Sequence, residues 1–401
     1  MEAAGQQRIV RAEDVAHMGI TEVLLHASRV YASYRRLVRA LKRERPALAI
    51  LIDFPDVNFR LATHCKKLGV PVLWFVSPQL WAWKRRRLRW VQQRVDRMLV
   101  IFPFEEAFYR ARGVDAEFVG HPLAAMGMPV ETREEYARKA TQISQDHWCW
   151  GGGPNDGRPT ERSAGLGKVR YELDSGKPWI ALLPGSRRSE IHNNLWAMID
   201  AAYEIGSDYE YIVPIAPTIT DRNLIAIQYQ TGDLYLGKED APRVTFVRDA
   251  RAALFHARAA VVASGTATVQ ALTVGNPFVV VYRVSGLTYA LAKRLVRYPP
   301  EISAQPDADG NLPIAMPNLI AGRRIVPELI QSRFTAENLA AALRPLLEDG
   351  PERARMIADL IETRAKLGET RERLSGAGDG DPIARVCDAA VELLGASIGR
   401  G

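Results

Sequence analysis

Two short segments of this chain put glycine and small hydroxyl residues where a strand hands over to a helix, the place where backbone amides can hold a phosphate. The first, Pro184-Gly185-Ser186-Arg187-Arg188, follows the apolar run Trp179 to Leu183 and opens a helical pattern at Ser189. Arg187 adds a planar guanidinium suited to bidentate phosphate contact. The second, Ser264-Gly265-Thr266-Ala267-Thr268, leaves the apolar run Ala260 to Ala263. Taken locally, the first reads equally well as a capped turn with two solvated arginines, and the second as a simple helix cap. Two such loops in one domain point to a diphosphate. Elsewhere, Asp53 ends the apolar run Leu48 to Ile52. A carboxylate there suits a general base that takes a proton from an attacking hydroxyl, while the amide-lined turns stabilise a departing diphosphate. Asp56 reads as a helix cap.

Metal chemistry finds little support. Asp307 and Asp309 are not followed by the ligand series of a calcium loop, the seven histidines lack HExxH spacing, and His121 reads as a structural loop residue. Cys65, Cys149 and Cys387 are odd in number and far apart, which suits a reducing compartment and does not form a paired-cysteine zinc pattern.

The net charge of +7, from 53 basic and 46 acidic residues, is local. Lys84, Arg85, Arg86, Arg87, Arg89 and Arg94 cluster beside Trp81, Trp83 and Trp90. Basic and tryptophan residues together suit anionic lipid headgroups; the plainer alternative is a solvated helix with half-buried tryptophans. No nucleic-acid module accompanies the charge. The opening residues lack the blocks of a signal peptide, and no apolar run is long enough to span a bilayer.

The elements that would position these residues alternate. A helix with apolar residues at three and four runs from Thr21 until Pro46 ends it. A strand from Leu48 to Ile52, a helix from about Asn58 to Lys67 and a strand from Val72 to Val76 follow. The alternation continues to Phe118 and Val119, dissolves between about Gly127 and Pro178, and resumes at Trp179. It predicts an α/β protein with parallel sheets covered on both faces and ligands at the carboxyl ends of the strands. Residues 1–143 form the expected first domain, 144–177 an inserted linker, and 178–401 the second domain, with terminal helices that cross back to the first.

The chain resembles the lipid-A-disaccharide synthases. The resemblance rests on VAHMGITEVL near the start, LIDFPDVNFRLA at 51–62, VSPQLWAWKRRR at 76–87, FPFEEAFY at 102–109 and VGHPLA at 119–124. It continues with LLPGSRRSEI at 182–191, ASGTATVQAL at 263–272, VVYRVSGLTYALAKRLV at 280–296 and PNLIAGRRIVPELIQ at 317–331. It implies two Rossmann-like doubly wound domains facing a cleft, the GT-B architecture. The implied enzyme is an inverting transferase that joins UDP-2,3-diacylglucosamine to 2,3-diacylglucosamine 1-phosphate, with no cofactor. Under it Asp53 matches the candidate base, and Gly185, Ser186, Arg187, Ser264, Gly265, Thr266, Thr268, Gln270 and Asn318 fall on the UDP-sugar side. Because both substrates are acylated, it also implies a peripheral place on the cytoplasmic face of the inner membrane. Membrane contact is expected through Trp81, Trp83, Arg85, Arg86, Arg87 and Trp90. A homodimer is compatible with the family.

Three departures stand out. Met1 corresponds to a point beyond the family's first strand, Gly-rich loop and helix, so the first sheet is expected to lack a central strand. Gln270 stands where the family usually has Glu, and 148–174 looks inserted. These leave open an inactive relative that binds UDP or membrane only, or another UDP-sugar enzyme of the same architecture.

Overall fold

The computed structural model describes residues 5, 7–10, 20–148, 173–216, 219, 242–368 and 381–398. Most of the expected insertion, with Cys149, and the beginning of the VAHMGITEVL motif lie outside them. Two compact units emerge, residues 1–125, 296–301 and 367–401 in one, 126–295 and 302–366 in the other.

In the first unit, α1 (Ile20–Glu44) leads to β1 (Ala49–Ile52), α2 (Pro55–Lys67), β2 (Val72–Phe75), α3 (Leu88–Arg94), β3 (Arg97–Val100), α4 (Pro103–Arg110), β4 (Ala116–Phe118) and the short α5 (Pro122–Ala125). The four strands among the described residues are parallel in the order β1-β2-β3-β4. Val72, Leu73 and Trp74 are fully buried, as a strand covered on both faces requires. At the β1 edge the pattern breaks: Leu51 is buried, but Ile50 and Ile52 are 46% and 52% exposed. The second helix starts at Pro55, three residues before the sequence suggests, because proline suits the first turn, where its missing N–H is not needed.

The second unit contains α6 (Arg133–Trp148), β5 (Trp179–Leu183), α7 (Arg188–Ile205), β6 (Glu210–Pro214), β7 (Arg243–Val247), α8 (Ala250–His256), β8 (Ala259–Ala263), α9 (Thr266–Val274), β9 (Phe278–Tyr282), α10 (Gly286–Leu295), α11 (Met316–Ala321), β10 (Glu328–Ile330), α12 (Ala336–Leu347) and α13 (Pro351–Lys366). Among the described residues its six strands are parallel in the order β10-β9-β8-β5-β6-β7. The chain starts in the middle at β5, winds outward to β7, then returns to β8 on the other side of β5. The β5/β8 neighbourhood is therefore the topological switch point, where ligands of open α/β sheets bind. The last helix, α14 (Pro382–Ile398), packs on α5 and β2 of the first unit, and Arg97 pairs with its Glu392 at 2.5 Å.

Residues 126–143, placed by composition with the first domain, cluster with the second unit. Arg251 explains the start of this stretch by donating to the carbonyls of Met126 and Gly127. Tyr136 explains its middle: the ring packs against Trp179 and His256, and the hydroxyl donates to the Arg248 carbonyl at 2.8 Å.

Candidate active site

At the switch point the residue pair Leu183 and Val262 sits in register on neighbouring strands, so the turn after β5 and the turn after β8 leave the same sheet edge side by side. Parallel strands lie about 4.8 Å apart, so the two turns begin side by side. Gly185 (φ +125°) and Gly265 (φ +151°) adopt backbone angles that a side chain resists. At Gly185 the space is also closed, since a Cβ would come within 2.5 Å of Glu190.

Glu190, which the sequence reading did not single out, organises the first turn. Its carboxylate accepts from the amides of Ser186 (3.0 Å) and Arg187 (3.3 Å) and pairs with the Arg187 guanidinium. A carboxylate at a helix N-terminus is favoured by the free amides and the helix dipole, the same forces that hold a phosphate there. Asn194, one turn along α7, donates to the Pro184 carbonyl at 2.8 Å and anchors the turn from below. Only the spacing Arg187-x-x-Glu190, that of a capping box, could have disclosed this arrangement.

In the second turn, Gly265 and Thr266 are exposed and Ser264 and Gln270 are half-buried. Thr268 corrects an expectation. It is wholly buried, and its hydroxyl donates back to the Gly265 carbonyl at 2.7 Å, so it shapes the loop instead of reaching a ligand. Asn318 is a second correction. Fully buried on α11, it donates to the Val326 carbonyl and to Glu328, and accepts from the amides of Ile325 and Val326. All its hydrogen-bonding capacity is committed to the 325–328 segment. Replacing Asn318 by alanine should therefore destabilise the fold by about 2 kcal/mol, read by urea unfolding, because two amides and a carbonyl lose their partner. An unchanged unfolding midpoint with weakened UDP binding would restore the direct role.

In the first unit, Asp53 follows the end of β1 with an exposed side chain. Its amide donates to the Phe75 carbonyl at 2.9 Å, and its own carbonyl accepts from the Asn58 amide group at 2.6 Å. Asp53 and Phe54 both have left-handed backbones, φ 44° and 43°. Asp56 does not cap α2; the N-cap position is Phe54, and Asp56 pairs with Arg87 at 2.7 Å.

The tryptophan and arginine cluster divides. Trp81 is 2% exposed and donates its indole N–H to Glu105 at 2.9 Å, which corrects its expected membrane contact: that ring belongs to the core. Trp90 is half-buried against Phe59, with Arg87 and Arg94 over its face. Trp83 remains 47% exposed with the Lys84 ammonium over its ring, and Arg85 and Arg86 are exposed beside it. Glu105 is the other residue missed from sequence. It accepts from the Ser77 hydroxyl (2.7 Å), Trp81 and the Phe102 amide, and burial pushes its carboxyl up to about 7. A pair of acids inside FPFEEAFY, between phenylalanines, was the available signal. His121 is buried and held near 4 by desolvation, and its Nδ1 accepts from the Leu123 amide. The Asp307 carboxylate accepts from the amides of Asp309 and Asn311 within a tight turn.

Comparison with known proteins agrees with this geometry. The family model described as Lipid-A-disaccharide synthetase matches residues 1–150 and 156–377. A lipid-A-disaccharide synthase of Acidobacterium capsulatum is 47% identical over 399 residues, covering 98% of this chain and 87% of that protein. Another, of Koribacter versatilis, is 44% identical over 377 residues, covering 94% and 85%. The S. aureus MnaA structure solved with UDP shares the fold at a TM-score of 0.50 and 13% identity, over 90% of this chain and 80% of that one. Two Rossmann-like units of the GT-B class, paired glycine-bearing turns at a switch point and similarity along nearly the whole chain agree: this protein belongs to the lipid-A-disaccharide synthase family.

Proposed function

We propose that this chain joins UDP-2,3-diacylglucosamine to 2,3-diacylglucosamine 1-phosphate through a β(1→6) bond and releases UDP. The observation that carries the reading is the pairing of the 184–188 and 264–268 turns on adjacent strands β5 and β8. A diphosphate there is met by the Ser186, Arg187 and Gly265 backbone and the Arg187 side chain, with the Glu190 carboxylate turning aside, since it opposes the incoming charge. Gln270 is placed one turn into α9, where its amide can meet ribose hydroxyls. The 6-hydroxyl oxygen of the acceptor attacks the anomeric carbon, the bond from that carbon to the diphosphate oxygen breaks, and the electron pair leaves with UDP. Asp53 takes the hydroxyl proton. One displacement inverts the anomeric centre and needs no covalent sugar intermediate.

Arg187→Ala should weaken UDP binding about 10-fold to 100-fold, the worth of a charge-assisted hydrogen-bond pair, with the melting temperature little changed because the side chain is 51% exposed. Calorimetric titration with UDP checks this, and an unaltered affinity would remove Arg187 from the site. The whole reading is tested by incubating the purified chain with both acylated substrates and identifying the product by mass spectrometry. Saturable UDP binding with no disaccharide would favour a binding-only relative.

The acylated substrates further suggest work on the cytoplasmic face of the inner membrane. Exposed Trp83, Lys84, Arg85 and Arg86 support that reading, and among the described residues no helix is long and apolar enough to cross a bilayer.

A further inference from the structure

Helix α10, Gly286–Leu295, is unusual for its unit in having no buried residue. Leu287, Leu291 and Leu295 recur every fourth position, so they form one stripe along the helix, and they are 83%, 55% and 57% exposed. Exposed leucines singly need no explanation, but three in a row on one helix face do. The other face is tied down: Tyr289 donates its hydroxyl to the Asn311 side chain, and the Lys293 ammonium donates to the Asp309 carbonyl at 3.0 Å. Tyr289 and Lys293 are themselves four apart and lie roughly opposite the leucines on the helical wheel. The tethers therefore hold the stripe outward.

Charge identifies what the stripe faces. From Gly275 to Pro300 the sequence contains Arg283, Lys293, Arg294 and Arg297 and no acidic residue. Arg294 is exposed and borders the stripe beside Leu291 and Leu295. An apolar stripe bordered by the Arg294 cation, on a helix of low overall hydrophobicity, is the pattern of a helix lying in a lipid interface, with leucines among the acyl chains and the guanidinium at headgroup phosphates. A protein partner of the same shape would need acidic groups to match Arg294 and its neighbours, whereas an anionic bilayer supplies them everywhere.

We infer that α10 is a membrane-docking element: its Leu287, Leu291 and Leu295 stripe enters the surface of an anionic bilayer while Arg294 engages the headgroups. This rests on the membrane-surface reading above and names the element that carries it, distinct from the Trp83 to Arg86 cluster.

The test is sedimentation of the full chain with vesicles of phosphatidylcholine alone and of phosphatidylcholine with phosphatidylglycerol. The Leu287→Ser/Leu291→Ser/Leu295→Ser variant should lose at least about tenfold in partitioning onto the mixed vesicles, and its thermal unfolding should be unchanged because the three side chains already face solvent. Arg294→Gln should lower binding to the mixed vesicles alone and reduce its salt dependence. Equal partitioning of the triple variant and the parent chain would overturn the inference while leaving the membrane reading standing. Failure of the parent chain to bind either vesicle would overturn both. A parent chain that sediments as a dimer where the variant is monomeric would assign the stripe to a second copy and also overturn it. So would unchanged partitioning with a raised KM for the acylated substrates, which would make the stripe an acyl-chain site.

Discussion

Asp53→Asn should lower kcat by about 10²-fold to 10⁴-fold, the usual contribution of a general base, with UDP affinity and melting temperature unchanged. The substitution removes charge and basicity and little else. The Asp53 side chain is exposed, and the fold uses only its backbone, through the Phe75 carbonyl and the Asn58 side chain. Asparagine is also the replacement that the local backbone tolerates. At φ 44° the residue is in the left-handed region, which asparagine visits readily and alanine resists by about 1 kcal/mol. Asp53→Ala would mix strain with lost chemistry, so asparagine is the cleaner test. Single-turnover kinetics with saturating substrates separates the step from binding. A rate for Asp53→Asn within about threefold of the parent enzyme would remove this residue as the base.

Glu105→Ala should cost about 3 kcal/mol of stability and disorder the 77–81 segment that follows β2. Three donors, from Ser77, Trp81 and the Phe102 amide, converge on this carboxylate, and each donor left unpaired in the interior costs about 1–3 kcal/mol. Part of that loss is offset because the carboxylate is itself disfavoured by burial. Tyr109 gives the segment a second anchor by donating to the Pro78 carbonyl at 2.8 Å, which keeps the effect local.

The same group has a pH signature. Its carboxyl titrates near 4.5 in an open chain and is raised to about 7 in the fold by desolvation. Between those values the folded state binds more proton than the unfolded state, so the stability that depends on Glu105 falls as pH rises from about 4.5 to about 7 and is level above that. Glu105→Gln should flatten this component. His121 works the other way: burial lowers it from 6.5 to about 4, so its contribution rises with pH through that window. The difference between the parent chain and Glu105→Gln, measured by urea unfolding at each pH, isolates the carboxyl. Parallel stability profiles would show that Glu105 does not titrate in this range.

The alternation of apolar runs with amphipathic segments was enough to establish the α/β class and most strands of both sheets, because parallel strands covered on two faces leave continuous apolar runs. The short strands at Phe278–Tyr282 and Glu328–Ile330 and the helix at Gly286–Leu295 were not resolved that way. The first is a five-residue apolar run that the reading passed over, the second has three residues, and the helix buries no side chain and so shows no inward face. The positions of the two glycine-bearing turns and of Asp53 at strand ends were legible, since the apolar runs before them mark the strands.

Which of those residues face outward was decided by tertiary structure. Thr268, Asn318 and Trp81 have the same side-chain chemistry as a ligand-binding residue or a membrane anchor, yet each is buried and bonded within the fold. The adjacency of the two turns likewise follows from strand order, with β8 returning to the far side of β5. Residue type and spacing specify what a group can donate or accept; only packing settles whether the fold has already claimed it, because a buried polar group must find its partners inside the protein before it can offer anything to a ligand.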